Sequence, residues 1–124
     1  MAIIERLAFA DEAAWKSMLA GALGDLSYRA IFTRDFLDSL AAVDRAISME
    51  PDTIWLYGNR AHALMFHDRV DDARALYLKY RGTANVVGTS SWEEIVLIDF
   101  AEFRKAGLAH PLMDEIEETF RKPN

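Results

Sequence analysis

An all-α fold of about three antiparallel helix pairs, stacked side by side, is what three observations on this 124-residue chain predict. First, Leu26-Ser27-Tyr28-Arg29-Ala30-Ile31-Phe32 is echoed 34 residues later by Arg60-Ala61-His62-Ala63-Leu64-Met65-Phe66. Second, the echo continues at the same offset, with Ser39 mapping onto Ala73, Ala41 onto Ala75, Val43 onto Tyr77, Ala46 onto Tyr80 and Pro51 onto Asn85. Third, apolar residues recur at helical spacing between connections short enough to make consecutive helices antiparallel neighbours.

The sizes of the repeated residues give the pattern a physical meaning. Small residues at Ser27 and Ala61 let the first helix of each pair come close to the second, where Ser39 and Ala73 face it. Large apolar residues at Leu23, Leu26, Val43, Tyr57, Leu64 and Tyr77 are then expected to fill the space between stacked pairs, since no single pair buries its apolar face alone. Two ordinary amphipathic hairpins would share the apolar periodicity but not this agreement in size.

The elements follow in order. Ile3, Ile4 and Leu7 fit either one or two helical turns or a leader lying on the next helix. Asp11 is a reasonable N-cap for a helix carrying Trp15, Met18, Leu19, Ala22, Leu23 and Leu26 and running on to Phe32. Gly21 and Gly24 inside it imply a kink or two helices near Ala20 to Gly24, or close packing of a neighbour. Asp35 is expected to cap a second helix with Phe36, Leu40, Val43 and Ile47 on one side, stopped by Pro51. Asp52 or Thr53 caps Ile54 to Phe66, and Asp68 caps a fourth helix from about Val70 to Tyr80, with Gly82 as its stop.

After Gly82 the period breaks in a loop bracketed by Gly82 and Gly88. Ser90 and Ser91 each stand three residues before a glutamate, Glu93 and Glu94, the spacing of a capping box opening a fifth helix that ends at Gly107. Pro111 suits the first turn of a sixth helix with Leu112, Met113, Ile116 and Phe120 in a stripe. If Ala101 takes the place of Ser27 and Ala61, then Leu97, Phe100, Met113 and Phe120 supply the bulk of a third, displaced pair. The organisation is thus one domain over 1–124: a leader or helix over 1–19, repeats over 20–53 and 54–87, and a divergent pair over 88–124.

The 34-residue period, with Leu23, Leu26, Ser27, Ala30, Ser39, Val43, Ala46 and Pro51 in the first copy and Tyr57, Ala61, Leu64, Ala73 and Tyr77 in the second, resembles the tetratricopeptide repeat (TPR). Ser91-Trp92-Glu93-Glu94, Asp99 to Gly107 and His110-Pro111-Leu112-Met113 also resemble the closing segment of some bacterial proteins that carry TPRs. The resemblance implies a right-handed superhelix whose first helices line a concave groove for a peptide or helix of a partner protein. Carried over position by position, the groove takes Gly24, Tyr28, Ile31 and Phe32, then Trp55, Gly58, Asn59, His62 and Phe66, then Ile98, Asp99, Glu102 and Lys105. Such a groove is aromatic with an acidic end, suited to an apolar segment bearing basic or amide groups. Trp55, Phe32 and Phe66 equally fit the core or a contact with another copy.

The clamp by which some TPR proteins capture C-terminal carboxylates is not carried over. Asn59 alone falls on a clamp position, while Gly24, Tyr28, Ile95 and Asp99 stand where its other basic and amide groups belong. Arg60 and Tyr80 depart further, the first where Leu is usual and the second where a small residue is usual.

Composition sets the outer limits. With 52% apolar residues the chain can bury a core without metals or disulfides, and there are no cysteines. A net charge of −6 supplies no basic field for a nucleic-acid backbone. The start Met1-Ala2-Ile3-Ile4-Glu5-Arg6-Leu7 has neither the charge nor the apolar run of an export signal or a membrane span, so a cytoplasmic location is expected. His62 and His67 are five apart and His110 is remote, which leaves no metal-ligand spacing. No phosphate loop, nucleophile elbow or Ser-His-Asp set stands out, so neither an enzyme nor a cofactor is expected. The sequence reads as a protein-binding module, with self-association through the apolar ends of a short array as the alternative.

Overall fold

The computed structural model describes residues 2–123, with side chains from residue 11 to residue 123. Six helices follow one another: α1 (Ala2–Phe32), α2 (Phe36–Met49), α3 (Trp55–Phe66), α4 (Val70–Lys79), α5 (Trp92–Lys105) and α6 (Pro111–Arg121). Among the described residues there is no strand. Val87 and Ser90 make an isolated antiparallel bridge in the long α4–α5 loop. The architecture is all-α, and no helix among the described residues is long and apolar enough to cross a membrane.

α1 departs from its expected course. Asp11 lies inside it and does not cap it, and the backbone runs unbroken through Gly21 and Gly24, so the expected division between residues 19 and 20 falls within one helix. The side chains of Ile3, Ile4 and Leu7 lie outside the described ones. At about 1.5 Å per residue α1 is roughly 46 Å long and α2 roughly 21 Å. The N-terminal half of α1 therefore runs past its partner, and residues 11–18 are exposed.

The first two pairs share their internal surroundings at the offset of 34. Ser27 and Ala61, Ser39 and Ala73, Ile31 and Met65, and Val43 and Tyr77 are all fully buried. In the first pair Ser39 donates to the Ser27 carbonyl at 2.7 Å and the two hydroxyl oxygens lie 3.1 Å apart. In the second pair the corresponding residues are two fully buried alanines, with no polar side-chain group to satisfy.

The turns repeat as well. Arg34 and Asp68 take left-handed backbone, φ 63° and 61°, and the residues after them have matching dihedrals: −89° and 64° at Asp35, −88° and 68° at Arg69. Each turn is closed by the same backbone bonds. Arg34 N–H reaches Ile31 O and Asp68 N–H reaches Met65 O, both at 3.0 Å, while Asp35 N–H reaches Ala30 O and Arg69 N–H reaches Leu64 O, both at 2.9 Å. A left-handed residue just past a helix satisfies the last carbonyls in this way. These backbone bonds replace the expected side-chain caps. Asp35 makes no capping bond and accepts instead from Thr33, and Asp68 occupies the left-handed position one residue before the N-cap, Arg69. α3 likewise starts without a side-chain cap, and Thr53 bonds Glu50 instead.

The third pair uses the same closing bonds around Gly107 (φ 81°): Gly107 N–H to Arg104 O at 3.0 Å and Leu108 N–H to Phe103 O at 2.9 Å. Pro111 then starts α6 four residues after Gly107, whereas α2 and α4 start two residues after Arg34 and Asp68. Counting seven residues back from each left-handed residue gives Ser27, Ala61 and Phe100. Phe100 is buried and Ala101 exposed, so the expectation for Ala101 is corrected by one residue. A phenyl group thus stands where the other pairs have a small residue, and it packs on His62 and Tyr77 of the second pair. Leu26 and Leu97 are also corrected from filler to surface, since both are exposed. The place of Leu26 in the second pair is taken by Arg60, which reaches Asp44 on α2 at 2.7 Å.

α5 opens with the expected capping box. Glu94 N–H donates to Ser91 Oγ, Ser91 N–H donates to the Glu94 carboxylate, and these bonds hold Glu94 below the usual carboxylate range. Pro111 stands at the first position of α6, and His110 Nδ1 accepts from Leu112 N–H at 3.0 Å. α6 is tied back by Arg74 to Glu115 and by Arg104 to Asp114 and Glu117. The main core gathers Ile31, Leu64, Met65, Tyr77, Trp92, Phe100, Phe103 and Ile116, and a smaller cluster of Ala20, Val43, Ala46 and Leu56 joins α1, α2 and α3.

Candidate functional site

Three helices, each the first of its pair, turn one face toward a common pocket of about 510 Å³. α1 contributes Asp25, Tyr28 and Arg29, α3 contributes Trp55 and Asn59, and α5 contributes Ile95, Ile98 and Asp99. Spacings of three and four residues place each set on one side of its helix. Val87 and Ser90, the two ends of the isolated bridge, close the pocket from the α4–α5 loop.

Trp55 begins α3 and lies on bare backbone. A Cβ added at Gly24 would come within 2.4 Å of the indole and 2.8 Å of Leu56 Cδ2. Gly24 therefore lets the ring rest against α1, the second of the two roles open to it from sequence. Beside it, Asn59 Nδ2 donates to the Gly24 carbonyl at 3.0 Å, which joins α3 to α1 under the pocket floor.

Asp99 is held from behind. His62 Nε2 lies 2.9 Å from its Oδ2, and His62 Nδ1 lies 2.7 Å from the Tyr77 hydroxyl. An ionised carboxylate only accepts, so in the neutral ring Nε2 carries the hydrogen and Nδ1 accepts from Tyr77. The Tyr77 proton is thereby committed to the ring in preference to Met65 Sδ at 3.8 Å. Burial, with the nearby Asp99 charge, pushes the Tyr77 phenol well above its usual range. Tyr28 is also pushed up, first by burial, then by the charge and hydrogen bonding of Asp99 and the charge of Glu102. Tyr28 and His62 stand at equivalent places in successive pairs, 34 residues apart, and both address the same carboxylate.

Of the residues singled out from sequence, Tyr28, Trp55, Asn59, Ile98 and Asp99 come together at the pocket. His62 is fully buried behind it, and neither ring nitrogen reaches solvent. Phe32 packs on Tyr28 and Phe103, while Phe66 stacks on Phe36 and meets Phe103 edge-on, so both lie in the aromatic layer beside the pocket. Glu102 is exposed three residues beyond Asp99 and faces Lys105 at 3.3 Å.

Asp25, Arg29, Val87 and Ser90 were not singled out. Asp25 and Arg29 flank Tyr28 on its own helix face, a signal that helical spacing alone could supply. Nothing periodic marks the loop residues Val87 and Ser90.

The arrangement offers an indole, a phenol, an amide and an oriented carboxylate. Among the described residues no group of three or more His, Cys, Asp or Glu side chains is placed to hold a metal ion. No family model, curated protein or solved structure matches the chain.

Proposed function

We propose that this chain is a TPR-like protein-interaction module that holds a peptide or helix of a partner protein in the pocket between α1, α3 and α5. The observation that carries the reading is the pocket itself: it spans the first helices of all three pairs, and half-buried aromatic residues and amide and carboxylate groups line it together. Large amphipathic rings with a few fixed polar groups are the composition of recognition hot spots. The repeated turns and buried small residues of the first two pairs support the superhelical part of the reading. It is a binding reading and not a catalytic one, proposed for a chain acting in the cytoplasm.

Selection of phage-displayed random dodecapeptides against the intact chain tests it. Enriched peptides are expected to bind the wild type and to lose capture in Trp55→Ala, with helicity by circular dichroism unchanged. Peptides that bind both forms equally remove Trp55 from the groove, and failure to enrich any peptide defeats the reading.

A second reading, self-association, is favoured by the overhang of α1. Trp15 and Met18 are 63% and 73% exposed there, one helical turn apart. Light scattering at micromolar concentration separates the two readings: a doubled mass supports pairing of α1 overhangs, and a monomer leaves the groove as the interaction surface.

A further inference from the structure

We propose that the occupant of this pocket presents a cation, the side chain of a lysine or arginine, to Asp99 against the rings of Trp55 and Tyr28, an inference that rests on the groove reading above. Asp99 has the properties of a cation receptor. Its side chain is 23% exposed at the pocket wall, so it is shielded from bulk water yet reachable. Its only ion-pair partner among the described residues is His62, which donates one hydrogen bond to it from Nε2. A carboxylate has acceptor sites for several donors, so capacity remains on the side facing the pocket.

The other charges at the pocket decide the sign of the ligand. Asp25 and Arg29, one helical turn apart on α1, bring one charge of each sign to the lining, so with Asp99 the acidic side chains outnumber the basic one by two to one. Glu102, one turn beyond on α5, faces Lys105 at 3.3 Å, and its charge still reaches Tyr28. An anionic ligand would meet that acidic excess, whereas a cation meets Asp99 and can be taken up by aromatic faces, which attract cations through their quadrupoles. The buried chain from Tyr77 through His62 fixes the carboxylate before the ligand arrives, so little ordering remains to be done on binding.

The test uses the intact chain and three small probes: the N-acetyl N-methylamides of lysine, norleucine and glutamate. The readout is the indole N–H signal of Trp55 by NMR, since Trp92 is buried with its N–H bonded to the Tyr77 carbonyl and Trp15 lies far along α1. The lysine probe is expected to move the Trp55 signal at millimolar concentration and to bind several-fold tighter than norleucine. Asp99→Asn keeps an acceptor for the His62 N–H and removes the charge, so the lysine probe should weaken by about tenfold or more. Arg29→Ala removes the competing cation from an exposed position and should tighten lysine binding. Norleucine binding as tightly as lysine, a preference for glutamate, or an unchanged affinity in Asp99→Asn would each overturn the inference. If the lysine probe leaves the Trp55 signal in place the inference also falls. The dodecapeptide selection then decides separately whether the groove reading falls with it.

Discussion

Two tryptophans open two helices and meet opposite fates. Trp55 is the first residue of α3 and Trp92 the first residue of α5, and each lies against a glycine in the first helix of the preceding pair: Gly24 for Trp55, Gly58 for Trp92. Trp92 is fully buried, donates its indole N–H to the Tyr77 carbonyl at 2.8 Å and packs on Tyr80 with centroids 5.1 Å apart. Trp55 is half-buried and keeps part of its ring in the pocket. The difference comes from what covers each ring. The Tyr80 ring, just past the end of α4, packs on Trp92 and the Tyr77 carbonyl holds its N–H, whereas the place equivalent to Tyr80 in the first pair holds Ala46, too small to reach across. A tryptophan that opens a helix against a glycine thus becomes a core anchor where its covering neighbour is large and stays half-buried at the pocket where that neighbour is small.

The largest expected effect follows from that contrast. Trp92→Ala removes a fully buried indole and strands the Tyr77 carbonyl, so it should lower stability by about 3–5 kcal/mol, read by urea denaturation. Trp55→Ala should cost far less in the same measurement. Equal losses would mean that Trp55 is core and that the pocket does not distinguish the two rings. Ala61→Leu should come next. It forces a branched side chain into the contact with Ala73 and should cost about 1–3 kcal/mol, and tolerance of the change would break the claim that small residues set the distance within the pair.

How far the sequence foretold this depends on how local each feature is. The small pairs Ser27–Ser39 and Ala61–Ala73 were legible because their sizes repeat at one period, and the Ser91–Glu94 capping box because it lies within four residues. The left-handed Arg34 was not legible, since arginine does not favour that backbone, and Asp68, of a type that tolerates it, reads equally well as a side-chain cap. The register of the third pair was misjudged by one residue because Phe100 breaks the small-residue rule on which the alignment relied. Five of the candidate groove residues came together at the pocket, but the link from Tyr77 through His62 to Asp99 joins side chains 15 and 37 residues apart. Only the stacking of helices brings such groups into reach.

Sharper tests lie in the two glycines. Gly24→Ala gains helix propensity of about 1 kcal/mol but drives a methyl group into the Trp55 ring, an overpacking cost of about 1–3 kcal/mol. A net loss of about 1 kcal/mol is expected, together with a shifted Trp55 indole signal and weaker capture of groove peptides. A stable variant with an unmoved Trp55 signal would show that the ring does not depend on Gly24 for its place.

Gly58→Ala is the smallest and most discriminating change. The added Cβ would lie 3.6 Å and 3.7 Å from Trp92 ring carbons, ordinary contact distance, so nothing has to move. Restricting the unfolded chain without straining the fold should raise stability by about half a kcal/mol. Because Trp92 is already locked by Tyr77 and Tyr80, its indole N–H should keep its slow exchange with solvent. If Gly58→Ala instead destabilises the chain as much as Gly24→Ala, the two glycines do the same work. The contrast between an anchored Trp92 and a displaceable Trp55 would then have to be sought in the residues that cover the rings, and not in the helix backbone beneath them.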